Sequence, residues 1–309
     1  MIDTTTIDSR FGVPEHREHR LSTPDGRTLA VAEWGDLNGK PVISFHGTPG
    51  SRIGYWTPEP EIWARFGLRR LSFDRPGYGE STRLPGRSVA DVVPDVVTIA
   101  DAFGLGRFVV SGGSGGGPHV LACAALLADR VERVLASVSV APFEALGTDY
   151  TAGMNEGNVR EFGAAVEGEA ALRALLEPER ALLIERLDSG RSDFMSDDYQ
   201  MSEADRIEMA KHQRAEAAHM LTAVAPGLDG WVDDDLAMVR PWGFDVASCS
   251  VPVVLSYGRQ DQFVPPTHGD WLTAHIPGAV AWVDDGTGHM GNDAKVERDL
   301  AWLAGTPAS

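Results

Sequence analysis

The run Gly112-Gly113-Ser114-Gly115-Gly116 lies between an apolar, β-branched stretch and a stretch with helical character that begins at Pro118. A serine on a sharp turn from a strand into a helix has a strained backbone, and side chains two residues to either side of it would collide. Glycines fill both of those positions, so the run satisfies the pattern Gly-x-Ser-x-Gly. It predicts Ser114 as an exposed nucleophile, with the backbone N–H of Gly115 facing the oxygen of a tetrahedral intermediate.

A glycine-rich turn can also hold a phosphate or serve only as a spacer. Residues 111–118 do not fit Gly-x-Gly-x-x-Gly, and no Gly-Lys-Ser or Gly-Lys-Thr follows, so neither nucleotide-binding pattern is met. A purely structural turn stays compatible with the run alone. The choice therefore depends on whether the chain supplies a base and an acid for the serine.

A base and an acid follow Ser114 in the order that this kind of turn requires. Asp261 comes just after one predicted strand near the end of the chain, and His289 just after the next. A serine hydroxyl needs a base to take its proton, and the base needs an acid to orient it. We therefore predict Ser114, Asp261 and His289 as the catalytic residues. Glu144, which follows an earlier predicted strand, is the competing acid.

Two loops after earlier strands complete the predicted site. In the first, Thr48 is placed to offer a backbone N–H across from Gly115 and so to complete an oxyanion hole. His46 in the same loop is interpreted as a hydrogen-bonded scaffold residue, because the chain has no HExxH or paired-histidine spacing, and no metal is predicted. Asp74 and Arg75 in the second loop favour a buried structural network over a site for a substrate anion.

Short apolar runs alternate with helical stretches up to residue 141 and again from residue 251. Such strands separated by helices indicate a parallel sheet covered on both faces. Between them, a long acidic and helix-prone segment contains a helix start at Ser202, with Asp205 as an acid of its first turn. We predict an α/β core at residues 1–141 and 241–309, and a helical cap inserted at residues 142–240. Surface or cap positions are predicted for four histidines in polar, helical contexts: His212, His219, His268 and His275.

The composition excludes several classes of partner. The 309 residues carry a net charge of −18, from 27 Lys and Arg against 45 Asp and Glu, which argues against nucleic acid or an anionic membrane. No apolar run reaches the roughly 18 residues of a membrane span, and residues 1–20 show no secretory signal. Cys123 and Cys249 suggest neither a disulfide framework nor a metal site. We expect a cytoplasmic monomer or homodimer that acts on a small-molecule substrate without a cofactor.

Five ordered motifs resemble those of the α/β-hydrolase superfamily, over about residues 17 to 304. The resemblance implies an eight-stranded, mostly parallel sheet flanked by helices, with a helical cap after the sixth strand. It also implies a triad of Ser114, Asp261 and His289, with Thr48 and Gly115 as oxyanion donors. The motifs are His46-Gly47-x-Pro49-Gly50, Asp74-Arg75-Pro76-Gly77-x-Gly79-x-Ser81, Gly112-x-Ser114-x-Gly116, Asp261 in Gly-x-x-Asp-x-x-Val-Pro, and Gly288-His289.

Within that superfamily the chain resembles the branch of proline iminopeptidases and related esterases. Those aminopeptidases usually have a second glycine where Thr48 stands and an aromatic residue where Gly115 stands. Both differences favour an esterase over an aminopeptidase. A serine in place of an aspartate at position 114 also argues against haloalkane dehalogenases and epoxide hydrolases.

The predicted cap and rim offer Phe143, Trp231, Phe263 and Met290 as candidates to line a largely apolar substrate pocket. The acids of Trp231-Val232-Asp233-Asp234-Asp235 could bind an amine, but the start of a helix explains them more simply. We predict hydrolysis of an ester, lactone, thioester or amide through an acyl-serine. The same triad also serves lyases, C–C bond hydrolases and biosynthetic cyclases, and the fold can serve as a non-catalytic ligand receptor.

Overall fold

The computed structural model describes residues 10–54, 61–189 and 199–305. They form an eight-stranded sheet in the order β1-β2-β4-β3-β5-β6-β7-β8. All neighbours from β4 to β8 pair in parallel, and only β1–β2 and β2–β4 are antiparallel. The predicted eight-stranded, mostly parallel sheet is thus confirmed. The strands are β1 (Arg17–Ser22), β2 (Thr28–Gly35), β3 (Lys40–Phe45), β4 (Leu68–Phe73), β5 (Phe108–Gly113), β6 (Val131–Ser137), β7 (Val253–Gly258) and β8 (Val280–Asp284).

Helices cover both faces of the sheet. On one face α2 and α3 pack over a core that includes Val96, Leu121 and Val134, and on the other α1 and α10 pack over Leu68 and Val254. The central strands are buried on both faces, in agreement with their mostly apolar sequences. The helices of this core are α1 (Glu61–Arg65), α2 (Val93–Ala102), α3 (Gly117–Leu126), α9 (Pro266–His275) and α10 (Asp293–Ala304).

Between β6 and β7 the chain forms a group of helices, here called the inserted helices. They are α4 (Phe143–Leu146), α5 (Glu156–Glu167), α6 (Glu169–Asp188), α7 (Glu203–Val224) and α8 (Asp229–Met238). Their apolar faces form a cluster of their own, which includes Leu176, Leu221 and Val232. They follow the sixth strand, in the interval where the sequence predicts a cap.

Some predicted bounds differ from those observed. The helix predicted over residues 58–66 has only Glu61–Arg65 in helical form, and its first residues lie outside the described ranges. The predicted strand Val134–Val140 begins earlier and ends at Ser137, because Val138 has a positive φ of 44° that turns the chain away from the sheet. No helix among the described residues combines the length and apolarity needed to cross a membrane.

Candidate active site

Ser114 stands directly after β5, in the middle of the sheet, at the carboxyl end of the strand. Its φ is +54°, a left-handed conformation that is costly for a residue with a side chain and that is typical of functional turns. A β-carbon on Gly112 would lie 2.7 Å from the carbonyl oxygen of Gly116, and one on Gly116 would lie 2.6 Å from that of His46. The glycines of the motif are therefore required by close approach of the backbone.

His289 and Asp261 form a hydrogen-bonded pair at the same end of the sheet. The Nδ1 atom of His289 lies 2.8 Å from Oδ2 of Asp261, and both side chains are buried. The other oxygen of Asp261 accepts the backbone N–H groups of Phe263 and Val264, at 2.8 and 2.9 Å. This carboxylate is thus fixed in place and orients the imidazole, with Nδ1 as the proton donor. The competing acid, Glu144, is exposed in α4 and is not part of this pair.

The pKa of His289 reflects two opposed effects. Burial alone would lower it, because the charged imidazolium loses its hydration. The charge and the hydrogen bond of Asp261 outweigh that loss, so the pKa lies above its ordinary value of 6.5. The pair therefore favours the protonated ring, which is the species that forms when a histidine takes a proton from a nucleophile.

Thr48 and Gly115, the two predicted oxyanion donors, are next to each other. A β-carbon on Gly115 would lie 3.2 Å from the backbone nitrogen of Thr48. Gly47 is also close to the serine, since a β-carbon there would lie 3.4 Å from Cβ of Ser114. The loop after β3 thus lies against the Ser114 turn, at the start of the helical segment that continues into α3.

A buried cluster of charges centred on Asp234 connects the inserted helices to this loop. Asp234 of α8 accepts hydrogen bonds from the guanidinium of Arg75, from the hydroxyl of Tyr78 at 2.9 Å and from the hydroxyl of Thr48 at 2.8 Å. Arg87 lies 2.6 Å from its second oxygen. Burial alone would raise the pKa of Asp234, but Arg75 and Arg87 hold it well below its usual range.

This cluster corrects the interpretation of the Asp233–Asp235 run as acids at the start of a helix. The helix α8 begins at Asp229, so the run lies in its middle, and all three acids are buried. Asp233 pairs with Arg83, at 2.8 Å, and Asp234 with the arginines of the core. Their burial depends on partners that are far away in the sequence.

Three histidines outside the pair, His46, His219 and His268, are buried. His46 is buried, donates from Nδ1 to the carbonyl of Gly47 at 2.7 Å and accepts the backbone N–H of Arg75, as its scaffold interpretation predicts. Its pKa is held well below 6.5, chiefly by burial. The surface or cap position predicted for His268 is wrong, because its ring is buried in the core between Ala141 and the carbonyl of Tyr150. His219 lies in the inserted helices as predicted, but is buried rather than exposed.

Ser114 and His289 line one cleft of about 1060 Å³, a volume that includes its open mouth. Most of its wall is apolar. Three of the predicted substrate-binding residues, Trp231, Phe263 and Met290, line it. Phe143 is not among the described residues of this wall and packs instead against the ring of Tyr150, at 4.9 Å between centroids. Further lining residues are Val140, Phe162, Leu183, Met209, Met220, Met238 and Val264.

One wall of the cleft carries carboxyl groups, which the sequence analysis did not identify. The carboxyls of Glu161 and Asp235 are neighbours, and burial raises the pKa of both. Glu161 also accepts the indole N–H of Trp231 and the hydroxyl of Tyr199. Asp235 is almost fully buried, and its Oδ2 atom has no hydrogen-bond partner among the described residues.

Two more carboxyls, of Glu179 and Glu216, line the same cleft. Burial raises the pKa of Glu216 to about 7, and the neighbouring His289 opposes this rise. The cleft is therefore apolar over most of its wall but acidic at one side, on the inserted helices.

One group of residues outside the cleft has ligand atoms close enough for a metal ion. Atoms of Glu208, His212 and Asp293 lie within 4.8 Å of one another. The ammonium of Lys211 already bonds both oxygens of Glu208, at 2.8 and 2.9 Å. The charge of Glu208 is thus matched within the protein.

The sequence profile of the family described as alpha/beta hydrolase fold matches residues 40–295. Over 116 residues, the chain is 31% identical to a proline iminopeptidase of Xanthomonas citri. The aligned stretch covers 37% of this chain and 36% of that protein. Over 101 residues, it is 31% identical to a non-heme chloroperoxidase of Streptomyces lividans, covering 32% and 36% of the two proteins. The similar stretches thus span about a third of these curated relatives.

Solved structures of other proteins are similar to this chain over almost its whole length. A thermophilic esterase from Thermogutta terrifontis superposes with a TM-score of 0.66 at 21% identity, over 93% of this chain and 98% of that one. At this identity the similarity is one of fold.

Proposed function

The chain belongs to the alpha/beta hydrolase fold family, and we propose that it is a serine hydrolase that acts through an acyl-Ser114 intermediate. Its substrate is a small, largely apolar ester, lactone, thioester or amide. The observation that carries the proposal is the buried contact of 2.8 Å between His289 and Asp261, in the same cleft as a serine with positive φ.

In this mechanism His289 takes the proton of the Ser114 hydroxyl as the oxygen attacks the carbonyl carbon. The same proton then passes to the leaving group, and a water molecule repeats the sequence to release the acid. Asp261 holds the imidazole in the tautomer that accepts at Nε2, and its charge stabilises the imidazolium. The raised pKa of His289 supports this role.

The backbone N–H groups of Thr48 and Gly115 are proposed to hold the oxyanion. Their proximity and the helical segment that starts at Ser114 support the assignment, since N–H groups at a helix start favour negative charge. The inserted helices, predicted as residues 142–240, are proposed to act as a cap. They supply most of the apolar wall of the cleft and so exclude water from the acyl-enzyme.

Labelling with a fluorophosphonate tests the nucleophile, because the probe reacts with activated serines. We expect the wild type to react at Ser114, and Ser114→Ala and His289→Ala to lose the label. Ser248→Ala, which removes an exposed hydroxyl outside the cleft, is the control and should label normally. Absence of label in the folded wild type, or a label retained by Ser114→Ala, refutes the proposal. Turnover of 4-nitrophenyl esters separates an enzyme from a ligand receptor.

The acidic wall favours a second candidate, in which the same chemistry cleaves a bond next to a positively charged amine. Asp235 offers a buried oxygen that has no partner within the described parts of the chain, beside Glu161 and in the same cleft as Ser114. An ammonium group would donate a hydrogen bond to this oxygen, and its charge would favour release of the proton that the buried acid pair otherwise keeps. The partial similarity to a proline iminopeptidase agrees with such a substrate.

Prolyl and alanyl 4-nitroanilides, each with a free and an acetylated amine, test this candidate. A preference for the free amine that Asp235→Asn removes would support it. Glu144→Gln, which changes an exposed acid outside the cleft, is the control. Equal rates for both forms, or hydrolysis of simple esters only, would leave the first proposal standing alone.

A further inference from the structure

The loop that carries His289 is held by a residue of the inserted helices. Oδ1 of Asp205, in the first turn of α7, accepts the backbone N–H of Met290 at 2.8 Å. Asp205 is fully buried, although an acid in a first helical turn is ordinarily solvated. A carboxylate from the insertion therefore bonds the residue next to His289 in the core.

The carboxylate also fits against the other neighbour of His289. A β-carbon on Gly288 would lie 2.1 Å from Oδ2 of Asp205, so only glycine allows this approach. The hydroxyl of Ser202 donates to that same oxygen at 2.8 Å and accepts the backbone N–H of Asp205 at 3.2 Å. Both oxygens of Asp205 are thus engaged, and the carboxylate is fixed against the loop on both sides of His289.

Asp205 acts on His289 through charge as well. It raises the pKa of the imidazole together with Asp261, against burial and against the positive charge of Lys295. Glu216 of α7 also faces His289. A negative charge close to the ring stabilises the imidazolium, whichever group places it there.

We propose that Asp205 is a positioning residue for His289, so that docking of the inserted helices onto the core completes the catalytic base. The proposal rests on the proposed function, because it assigns Asp205 to the base of that reaction. It assigns the insertion a part in the chemical step in addition to covering the substrate. When the insertion is displaced, the Met290 N–H loses its acceptor, and His289 loses the neighbouring acids of α7, Asp205 and Glu216, and keeps only Asp261 of the three.

Two substitutions separate the hydrogen bond from the charge. Asp205→Asn keeps an oxygen for the Met290 N–H and offers its amide to the Ser202 hydroxyl, but removes the charge. Asp205→Ala removes both. The control is Glu203→Gln, which removes the same charge from the same helical turn, at an exposed side chain that pairs with Arg206. Circular dichroism establishes the temperature range in which each variant is folded.

Steady-state hydrolysis of 4-nitrophenyl butyrate is the first measurement, made within that range. We expect kcat to fall about 10- to 100-fold in Asp205→Ala with little change in KM, since a hydrogen bond to a charged group is lost. In Asp205→Asn we expect a smaller loss and an acid limb of the kcat/KM profile shifted to lower pH. A purely structural role would lower thermal stability and leave both the folded enzyme's kcat and this limb unchanged. That result overturns the proposal.

An NMR titration of the His289 imidazole, with the Met290 amide followed in the same spectra, needs no activity. We expect a lower pKa in Asp205→Asn and a displaced Met290 amide in Asp205→Ala, with Glu203→Gln like the wild type. Unchanged values in both variants overturn the proposal. If Ser114→Ala still reacts with the fluorophosphonate while these shifts occur, then the proposed function fails and the contact between insertion and loop stands.

Discussion

The side chain of Thr48 occupies the space that a β-carbon on Gly115 would need. Such an atom would lie 2.2 Å from the Thr48 hydroxyl oxygen and 2.7 Å from its Cβ, both closer than real contacts allow. The hydroxyl is held there by its hydrogen bond to Asp234. The two departures from the iminopeptidase pattern, a threonine for a glycine and a glycine for an aromatic residue, therefore belong to one packing arrangement.

A side chain added at position 115 should destabilise the protein unless the side chain at position 48 is removed. We expect Gly115→Ala to lower stability by about 1–3 kcal/mol through overpacking, and to displace an amide proposed to hold the oxyanion. Thr48→Gly removes the clash at the cost of two hydrogen bonds of the hydroxyl, which donates to Asp234 and accepts from Arg75. In a double-mutant cycle of denaturant unfolding and esterase kcat, the double variant should recover much of the loss. Strict additivity of the two single changes would contradict the packing argument.

The acid of the pair is tested by a comparison of Asp261 with Glu144. Asp261→Asn should lower kcat by about two to four orders of magnitude, because it removes the charge that orients His289 and stabilises its protonated form. The raised pKa of His289 should fall, so the acid limb of kcat/KM should move to lower pH. Glu144→Gln should change neither quantity. A greater loss in Glu144→Gln would transfer the role of the acid to Glu144.

Asp234 should contribute strongly to the stability of the whole chain. Asp234→Asn leaves Arg75 and Arg87 buried beside a neutral partner, and breaking a buried ion pair in this way costs about 3–5 kcal/mol. The folded pKa of Asp234 is lowered, so its contribution is complete above the unfolded pKa of about 4 and is lost as the pH falls below it. Urea unfolding at several pH values should show a constant deficit above about pH 5.

The neighbouring Asp233 provides the control for this prediction. Its partner, Arg83, is partly exposed, so Asp233→Asn should cost less than about 1 kcal/mol. An equal loss in both variants would show that the two acids act through the helix rather than through their own ion pairs.

The fold, and the placement of Ser114, Asp261 and His289 at one edge of the sheet, could be predicted because they follow from patterns that are local in the sequence. Continuous apolar runs specify strands buried on both faces, and glycines mark where the backbone passes too close for a side chain. The chain order of serine, acid and base then places all three at the carboxyl edge of one parallel sheet. Each step uses neighbours in the sequence or a rule of topology.

The acids of the inserted helices could not be assigned in this way. Nothing near Asp234 or Asp205 in the sequence indicates that Arg75 or the loop at Met290 will lie against it. An acid run in a helical segment is usually solvated, and only the tertiary contacts determine which acids are buried, paired or left with a free oxygen. His268 was misplaced for the same reason, because its partners are residues 141 and 150.

The acid pair in the cleft should make the protein less stable as the pH rises. Burial raises the pKa of Glu161 and Asp235 above their unfolded values of about 4, so the folded state keeps a proton that the unfolded chain releases. The contribution of this pair to stability is therefore full below about pH 4 and declines as the pH rises. Asp235→Asn removes one of these two titrating carboxyls and offers Glu161 a permanent N–H donor, beside the indole N–H of Trp231 and the hydroxyl of Tyr199. We expect its Tm to equal that of the wild type near pH 5 and to exceed it at pH 8, by several degrees for each 1–2 kcal/mol gained. The control is Asp233→Asn, which breaks an ion pair and should lower Tm at both pH 5 and pH 8. A Tm of Asp235→Asn below that of the wild type at pH 8 would contradict the retention of a proton by the buried acid pair.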